Sequence, residues 1–287
     1  MMDDPFVTHR GLLFTVAYEM LGSAMDAEDV VQETWLRWAG VDRTKVRDPR
    51  PYLVRILTRQ ALNRLRTVSR RREDYPGEWL PEPLLTGPDM ADDAELAENI
   101  SIALLTVLET LGPVERAVFV LHEVFETPYD EIAEVVGKTP SAVRQIAHRA
   151  RDHVAARRPR MQVDRAQQEA TLEKFMAAVT AGDVRGLVEV LAPDVVLIAD
   201  GGGLVPAARK PLVGAETVVA FLARVADLSG LVAMTARING MPGVRFDVGG
   251  DVTAVSLVIE NDLITRIYAI RNPNKLGRLE EVAELRR

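Results

Sequence analysis

Apolar positions in the N-terminal part of the chain recur at helical spacing in three stretches. The first predicts a helix over residues 6–20. A second helix is predicted from Asp26, as N-cap with Asp29 at the third helical position, to about Trp38. The third stretch covers residues 49–72. Its apolar stripe consists of Leu53, Ile56, Leu57, Ala61, Leu62 and Leu65. Arginines occupy the remaining faces, which indicates an amphipathic helix with a cationic surface.

The next segment, residues 73–88, contains prolines and glycines throughout and cannot form a continuous helix. It nevertheless carries apolar residues that a solvated linker would not need. These are Trp79, Leu80, Leu84 and Leu85. We therefore expect an extended segment that docks against another part of the protein. Helical patterns resume over residues 92–111 and again over residues 113–125.

Residues 128–156 read as a helix, a tight turn and a second helix. Thr139 is the predicted N-cap of the second helix, with Pro140 at its first position. The small core between the two helices is predicted from their apolar positions. These are Ile132, Val135, Val136, Val143, Ile146 and Ala147.

The pattern changes after residue 159, where strand-like runs join the helices. Helices are predicted over residues 164–180 and 215–227, with a short helix after Gly182. Strands are predicted over residues 195–198, 231–238, 252–260 and 263–271, and Asn261 and Asp262 form a two-residue hairpin turn between the last two. An all-α half is thus followed by an α+β half, with the boundary at residues 159–164.

Charge is segregated along the 287 residues, although the net charge is only −7. Residues 47–72 hold nine arginines and one acid, residues 73–99 hold nine acids and no base, and residues 138–160 are basic again. Two basic helical segments separated by an acidic linker predict two separate contacts with a polyanion.

Composition narrows the function classes. The chain has no cysteine, which excludes disulfides, thiolate metal sites and cysteine nucleophiles, and we predict neither a metal nor a cofactor. The N-terminal residues lack the basic and apolar regions of a signal peptide, and no apolar run approaches membrane-spanning length. We expect a cytoplasmic protein with no membrane contact, of two or three compact domains.

Residues 26–38 (DAEDVVQETWLRW) closely resemble the core-binding helix of ECF-type bacterial sigma factors. The arginine-rich helix lies where that family melts and reads the −10 promoter element, and the helix–turn–helix lies where it reads the −35 element. The matches cover residues 5–158 in the expected order. The resemblance implies two all-α sigma domains and two partners, the β′ clamp of core RNA polymerase and promoter DNA.

The remainder resembles the SigJ-like subgroup, in which a SnoaL/NTF2-like domain, a cone-shaped α+β barrel, is fused to the sigma domains. Three motifs carry this resemblance, and Leu204 and Asn274 depart from the subgroup's pattern. The motifs are Trp79, Leu80, Pro81, Glu82 and Pro83; Asp200, Gly201, Gly202 and Gly203; and Asn272, Pro273, Asn274, Lys275 and Leu276. We expect all three to take part in interdomain regulation. The predicted domains are residues 1–72, a linker at 73–97, residues 98–160 and residues 161–287.

Polymerase contact is predicted for a polar rim around an aromatic anchor on the second helix. Its members are Asp26, Glu28, Asp29, Gln32, Glu33 and Trp35. Contact with the −10 element is predicted for the arginine-rich helix, because arginine binds phosphate bidentately and stacks on bases. The candidates are Arg55, Arg59, Gln60, Asn63, Arg64, Arg66, Arg70, Arg71 and Arg72. The alternatives are an ordinary amphipathic surface helix for the second helix and a solvated charged face for the arginine-rich helix.

Contact with the −35 element is predicted for the second helix of the helix–turn–helix. Such a helix touches base edges with its N-terminal residues and phosphates with later ones. The candidates are Ser141, Arg144, Gln145, His148, Arg149 and Arg151. Arg144 and Gln145 suit guanine and adenine respectively.

The acidic linker has three interpretations: a disordered spacer, a shield on the basic helices, or a plug in a basic channel. Trp79 and the prolines argue against the first. The resemblance supports the third, since the corresponding linker of sigma factors runs toward the polymerase active-site cleft.

The C-terminal domain could instead be a cyclase or isomerase tethered to a DNA-binding module. All four histidines precede residue 160, which removes the commonest general acid–base group and leaves Asp194 or Asp200 as a base. A non-catalytic regulatory domain with a pocket for an unidentified small molecule is the favoured interpretation. A dimeric repressor is a second rival, but it leaves the two N-terminal helices unexplained, and we expect a monomer.

Overall fold

The computed structural model describes residues 4–87, 93–158, 165–225 and 231–286, with the backbone alone for residues 69–73 and 225. The chain forms two compact units. The first contains Met1–Asp74, Leu105–Arg158 and Glu284–Arg287, and the second contains Tyr75–Leu104 and Pro159–Ala283. The predicted boundary at residues 159–164 lies outside the described residues. Within those ranges no helix is long and apolar enough to cross a membrane.

Three helices form the first half of the first unit. They are α1 (Pro5–Leu21), α2 (Ala24–Ala39) and α3 (Pro49–Glu73). Asp4 caps α1 by accepting the backbone N–H of Phe6 at 3.0 Å, and Gly22 ends the helix at a left-handed φ of 65°. The facing sides of the three helices are apolar and fully buried, as at Leu13, Val30 and Leu57. The three predicted helices are confirmed.

The start of α2 differs from the prediction. Its N-cap is Ser23, not Asp26, because the Ser23 hydroxyl accepts the backbone N–H of Asp26 at 3.1 Å. The left-handed Gly22 ends α1 immediately before this cap and so determines where α2 begins. Asp26 lies in the first turn, where a carboxylate stabilises the positive end of the helix dipole.

The second half of the first unit contains the predicted helix–turn–helix. The helices α4 (Ala94–Asn99) and α5 (Ile102–Leu108) come before it in the chain. The helix α6 (Pro113–Phe119) continues through a π-helical turn to Val124, and α7 (Tyr129–Val136) and α8 (Pro140–Ala155) follow. Thr139 caps α8 by accepting the N–H of Ala142 at 3.3 Å, which confirms the predicted cap.

The single helix predicted over residues 92–111 is two helices, α4 (Ala94–Asn99) and α5 (Ile102–Leu108). Ser101 causes the interruption. Its hydroxyl donates to the carbonyl of Glu98 at 2.8 Å and accepts the N–H of Leu104 at 3.1 Å, so it caps a new helix. The predicted start at Asp92 lies outside the described residues.

The second unit is built on one six-stranded sheet in the order β2-β1-β6-β5-β4-β3. The strands are β1 (Leu191–Asp200), β2 (Leu212–Val213), β3 (Leu231–Ile238), β4 (Met241–Val248), β5 (Asp251–Glu260) and β6 (Leu263–Ile270). β1 and β6 are parallel, and the other neighbours are antiparallel. The helices α9 (Arg165–Ala181), α10 (Val184–Val190) and α11 (Ala215–Val225) contribute apolar residues to a core with one face of this sheet. The predicted α+β architecture is confirmed.

Two strands were not predicted. β4 begins Met241, Pro242, Gly243, a run that reads as a loop because both proline and glycine weaken strands. Tertiary pairing on both sides, with β3 and β5, fixes it as a strand. β2 has only two residues and carries no periodic signal. The predicted hairpin turn is confirmed, with positive φ at Asn261 and Asp262.

Candidate functional site

The predicted polymerase-contact residues on α2 divide into two groups. Gln32 and Glu33 are exposed, and the Trp35 ring is 37% exposed and packs 5.0 Å from the ring of Phe6. Asp26, Glu28 and Asp29 are half-buried and engaged within the unit. Glu28 forms an ion pair with Arg10, and Asp26 and Asp29 both bind Arg64, at 2.7 and 2.5 Å. The exposed part of the rim is therefore the part around Trp35.

Arg64 was predicted to contact DNA, but its guanidinium bridges Asp26 and Asp29 across α2 and α3. The hydrogen bond that Arg64 donates to Asp26 and the negative charges of Asp26 and Asp29 raise the pKa of Arg64. Gln60 corrects the prediction more strongly. It is buried, and its side-chain amide lies 2.9 Å from the hydroxyl of Thr34, so it has no surface to offer a DNA strand.

The exposed outer face of α3 contains Arg59, Asn63 and Arg66 at helical spacing. Arg55 and Arg59 reach α7, where Arg55 pairs with the carboxylate of Glu134 at 3.3 Å and Arg59 donates to its backbone carbonyl at 3.1 Å. The predicted contacts at Arg70, Arg71 and Arg72 lie outside the residues whose side chains are described.

A basic cluster at the start of α3 was not selected from the sequence. Lys45, Arg47 and Arg50 line a cleft of about 580 Å³ whose acidic side is formed by Glu131 and Glu134. The excess of arginine over acid in residues 47–72 is the signal that could have identified it. The charge run there predicts a basic surface but not the acidic wall that faces it.

The predicted −35 surface on α8 is presented on one face. Ser141, Arg144, Gln145, His148 and Arg149 are exposed. The opposite face is buried, at Val143, Ile146, Ala147, Ala150 and Val154. The five residues therefore form one exposed stripe along the helix. Within it, the Arg144 guanidinium lies 5.9 Å from the centroid of the Tyr129 ring, and Nδ1 of His148 lies 2.8 Å from the carboxylate of Asp152, one turn further along.

Arg151 has a different environment from the rest of that helix. Its guanidinium binds the carboxylate of Glu123 through two hydrogen bonds, of 3.1 and 2.6 Å. Hydrogen bonding to Glu123 raises the pKa of Arg151. A bidentate pair of this kind fixes the side chain, so Arg151 is oriented by Glu123 before any phosphate could bind it.

One buried arginine fastens α6 to α1. The Arg116 side chain donates to the carbonyl of Glu19 through Nε and Nη2, at 3.0 and 2.9 Å, and to Glu109 through Nη1 at 2.7 Å. Burial lowers the pKa of Arg116 to about 9, which still leaves it charged at neutral pH. No local pattern predicts the contact with Glu19, because the two residues lie 97 positions apart along the chain.

The three motifs attributed to regulation meet in the second unit. We call this site the linker clasp and define it as Tyr75, Trp79, Leu80, Asp200, Asn272 and Lys275. Asp200 ends β1 and is fully buried. Its Oδ1 accepts the hydroxyl of Tyr75 at 2.6 Å, and its Oδ2 accepts the backbone N–H of Leu80 at 2.9 Å and the ammonium of Lys275 at 2.7 Å.

Lys275 contributes the positive charge of the linker clasp. It ends a short 3₁₀ turn (Pro273–Lys275) capped by Asn272, and it is only 5% exposed. Besides Asp200, its ammonium donates to the carbonyl of Leu80 at 2.6 Å and lies 3.2 Å from the centroid of the Trp79 ring. A desolvated cation over a tryptophan face is strongly attracted to it.

The glycine motif permits close approach of the chain. A Cβ at Gly202, whose φ is 61°, would lie 2.4 Å from Nδ2 of Asn272, and one at Gly203 would lie 2.6 Å from Pro76. The same Asn272 amide donates to the hydroxyl of Tyr75 at 2.7 Å. Gly201 is equally constrained, since a Cβ there would lie 2.4 Å from the Val205 carbonyl.

The two departures from the subgroup's pattern lie outside these contacts. Leu204 is 60% exposed, and the side chain of Asn274 is exposed as well. The contacts of the linker clasp are made by motif residues that do not depart from the pattern, among them Asp200, Asn272 and Lys275. Leu276 packs at the edge of the apolar cluster around Leu80.

The rest of the linker also docks on the second unit. Leu80 and Leu84 are buried, and so are Pro81, Glu82 and Pro83. The backbone N–H of Leu84 donates to the side-chain oxygen of Asn239 at 2.8 Å, and the backbone N–H of Asn239 donates to the carbonyl of Leu84 at 2.9 Å. The backbone N–H of Thr86 donates to the carbonyl of Arg237 at 3.0 Å. The docked extended segment is confirmed over residues 75–87, and the disordered spacer is excluded there.

The candidate bases of the enzyme interpretation are unsuited to that role. Asp200 is paired with Lys275 and covered by the linker, and Asp194 is exposed on the surface. Burial raises the pKa of Tyr268, the one tyrosine after residue 160, to about 12. Asp200 is therefore shielded from a substrate, and Tyr268 stays protonated near neutral pH.

Comparison with known proteins identifies relatives over nearly the whole chain. The Sigma-70 region 2 family matches residues 6–71, and the Sigma-70 region 4 family matches residues 101–154. The ECF RNA polymerase sigma factor SigJ of Mycobacterium tuberculosis is 37% identical over 290 aligned positions, which cover 94% of this chain and 91% of that protein. The probable ECF RNA polymerase sigma factor SigI of the same species is 34% identical, with 94% and 93% covered.

The fold agrees with the sequence comparison. The crystal structure of the extracytoplasmic function sigma factor SigJ of Mycobacterium tuberculosis matches with a TM-score of 0.77 at 35% identity. The match covers 94% of this chain and 96% of that one, so both units have a counterpart there.

Proposed function

Because the chain belongs to the ECF family of RNA polymerase sigma factors, which direct polymerase to promoters, we propose how its surfaces divide that task. The first unit carries the contacts with polymerase and DNA. The second unit acts as a regulatory domain that holds the linker and performs no covalent chemistry. The observation that carries this division is the linker clasp, where the buried carboxylate of Asp200, paired with Lys275, accepts hydrogen bonds from Tyr75 and Leu80 of the linker.

Polymerase docks on the exposed part of α2. Trp35, supported by Phe6, is the aromatic anchor, and Gln32 and Glu33 supply the polar rim that such interfaces commonly have. The partner surface is the β′ clamp. Asp26 and Asp29 act indirectly, since they hold Arg64 and thereby join α2 to α3.

Promoter DNA is read by two helices. Arg59, Asn63 and Arg66 on α3 contact the −10 element, with Arg70 to Arg72 near its phosphates. On α8, Ser141, Arg144, Gln145 and His148 face base edges of the −35 element, and Arg149 and Arg151 face phosphates. Because Arg55 and Arg59 contact Glu134 of α7, these two surfaces must separate before α3 can bind DNA.

The test is run-off transcription with purified core polymerase, on DNA upstream of the protein's own gene. We expect a start-site-specific transcript that requires both proteins. Trp35→Ala should weaken capture of core polymerase and reduce the transcript in parallel. Glu189→Lys, an exposed change on α10, is the matched control and should alter neither.

The outcomes separate the proposal from its rivals. Operator binding of nanomolar strength without polymerase, and no transcript, would favour a repressor. Equal polymerase capture by the Trp35→Ala variant and the unchanged protein would place the docking surface elsewhere than α2.

A further inference from the structure

An apolar cavity of about 190 Å³ lies inside the second unit, between the sheet and the helices α9, α10 and α11. Its walls include the rings of Phe175, Phe221 and Phe246. Among the described residues that line it, only Thr253 and Arg271 are polar, and none is acidic. Several of the other lining residues are alanines, so larger side chains that could have filled the space are absent.

The positive charge of Arg271 favours an anionic ligand in this cavity. One of its guanidinium N–H groups donates to the carbonyl of Pro206 at 2.7 Å, which orients the side chain at the cavity wall. Further N–H donors remain on the guanidinium, whose fork geometry matches a carboxylate. In the described ranges no carboxylate pairs with Arg271, so the charge is available to an anion.

The size of the cavity limits the apolar part of the ligand. A dry apolar cavity of about 150 Å³ admits benzene. The slightly larger cavity here therefore accommodates a single ring with a small substituent, and not a fused polycyclic skeleton. Apolar walls and one arginine together fit a ring that carries a carboxylate.

The cavity adjoins the linker clasp through two strands. Ala199 and Arg271 line the cavity. The residues that follow them in the chain, Asp200 and Asn272, belong to the linker clasp. The backbone N–H groups of Arg271 and Asn272 both donate to the carbonyl of Asp200, at 2.7 and 3.0 Å. A ligand held by Arg271 would thus restrain the segment that holds the linker.

We propose that this cavity binds a small apolar monocarboxylate of about the size of benzoate, and that its binding stabilises the linker clasp. The binding claim stands independently of transcription. The coupling rests on the regulatory role proposed above for the second unit.

Binding is tested on the full chain with benzoate as the probe, by NMR titration of the cavity methyl groups. Benzyl alcohol is the uncharged ring of similar size, and acetate is the carboxylate without a ring. We expect saturable binding of benzoate, at least about tenfold weaker binding of benzyl alcohol, as loss of a charged hydrogen bond implies, and no binding of acetate. The absence of saturable benzoate binding, or equal affinity for benzyl alcohol, would overturn the proposal.

Variants locate the site. Arg271→Gln should weaken benzoate binding about tenfold or more and leave benzyl alcohol unchanged. Arg245→Gln is the matched control, because Arg245 alternates with Phe246 along β4 and so lies on the other face of the sheet. Ala269→Leu should fill the cavity and abolish both. If Ala269→Leu does not fold, the two arginine variants decide, and equal effects from them would contradict the site.

The coupling has a separate readout that does not involve polymerase. The backbone N–H of Leu80 donates to Asp200, so its hydrogen exchange reports opening of the linker clasp. Saturating benzoate should slow this exchange in the full chain but not in the Arg271→Gln variant. Bound benzoate with unchanged exchange at Leu80 would show that the cavity and the linker clasp are uncoupled.

Discussion

The carboxylate of Asp200 is fully buried, and its hydrogen-bond partners determine its role. Asp200 accepts four hydrogen bonds through its carboxylate, from Tyr75, Leu80, Gly202 and Lys275, and so acts as a structural centre instead of a base. Nothing in the local sequence distinguishes these roles, because its partners lie up to 125 positions away.

The Asp200–Lys275 pair leads to a prediction on stability. Lys275→Met leaves a buried carboxylate without its counter-charge and should lower the free energy of unfolding by about 3 kcal/mol. The double variant with Asp200→Asn should lose less than the sum of the single changes, because the uncompensated charge is gone. Urea denaturation measures both.

Lys210→Met is the control for that series, since Lys210 is an exposed lysine of the same domain. It should change the free energy of unfolding by less than about 0.5 kcal/mol. A loss of similar size in the Lys275→Met and Lys210→Met variants would mean that the buried ion pair does not stabilise the domain.

Tyr268 gives a prediction on pH. Burial raises the pKa of this hydroxyl from 10.0 to about 12, so the folded state favours the neutral form. Its contribution is complete below about pH 10, where the unfolded chain is also neutral, and is lost as pH rises toward about 12. Unfolding free energies between about pH 9 and 11 should fall more steeply for the unchanged protein than for Tyr268→Phe. Parallel slopes would contradict the burial of this group.

Among the helices and strands, features set by neighbouring residues in the chain were mostly predicted correctly, and features set by contacts distant in the chain were not. Thr139 and Pro140 located the start of α8 because capping acts within one turn. β4 escaped prediction because Pro242 and Gly243 weaken a strand, and only its pairing with two neighbours forms it. Gln60 was misassigned for a related reason: its burial depends on Thr34 of another helix.

The same logic applies to the candidate sites. Periodicity predicted the exposed stripe of α8, and the resemblance to the SigJ-like subgroup supplied the three motifs that meet in the linker clasp. It did not predict that Arg64 joins α3 to α2 or that Arg116 joins α6 to α1. Periodicity identifies which face of a helix is polar, but the partner of a polar side chain is set by packing.

The exposed face of α8 supports a prediction that compares two arginine variants. Arg144→Ala, at the exposed N-terminal part of α8, should relax base preference at one −35 position at a cost of about 1–3 kcal/mol. Arg149→Ala should weaken binding of all sequences alike and reduce the salt dependence by about one phosphate contact.

Competition binding by the polymerase complex at several salt concentrations separates the two variants. Arg157→Ala, at the exposed end of the same basic block, serves as the comparison for charge alone. An Arg144→Ala variant that behaves like Arg157→Ala, with unaltered base preference, would remove Arg144 from the reading surface.

At the scale of the whole molecule, the segregation of charge has a structural explanation. The acidic segment between the two basic helical segments is not a free spacer, because residues 75–87 are fixed on the C-terminal domain by the linker clasp. The domain therefore determines the path of the linker that joins the two DNA-reading parts. We expect the linker clasp to control transcription.

Run-off transcription with core polymerase measures this control by comparing the full chain with Trp79→Ala, Lys275→Met and a chain ending near residue 160. We expect a polymerase-dependent transcript whose amount changes severalfold, and in the same direction, when the linker clasp is broken by either substitution or the domain is removed. Equal amounts of transcript from all four proteins would show that the linker clasp does not control transcription.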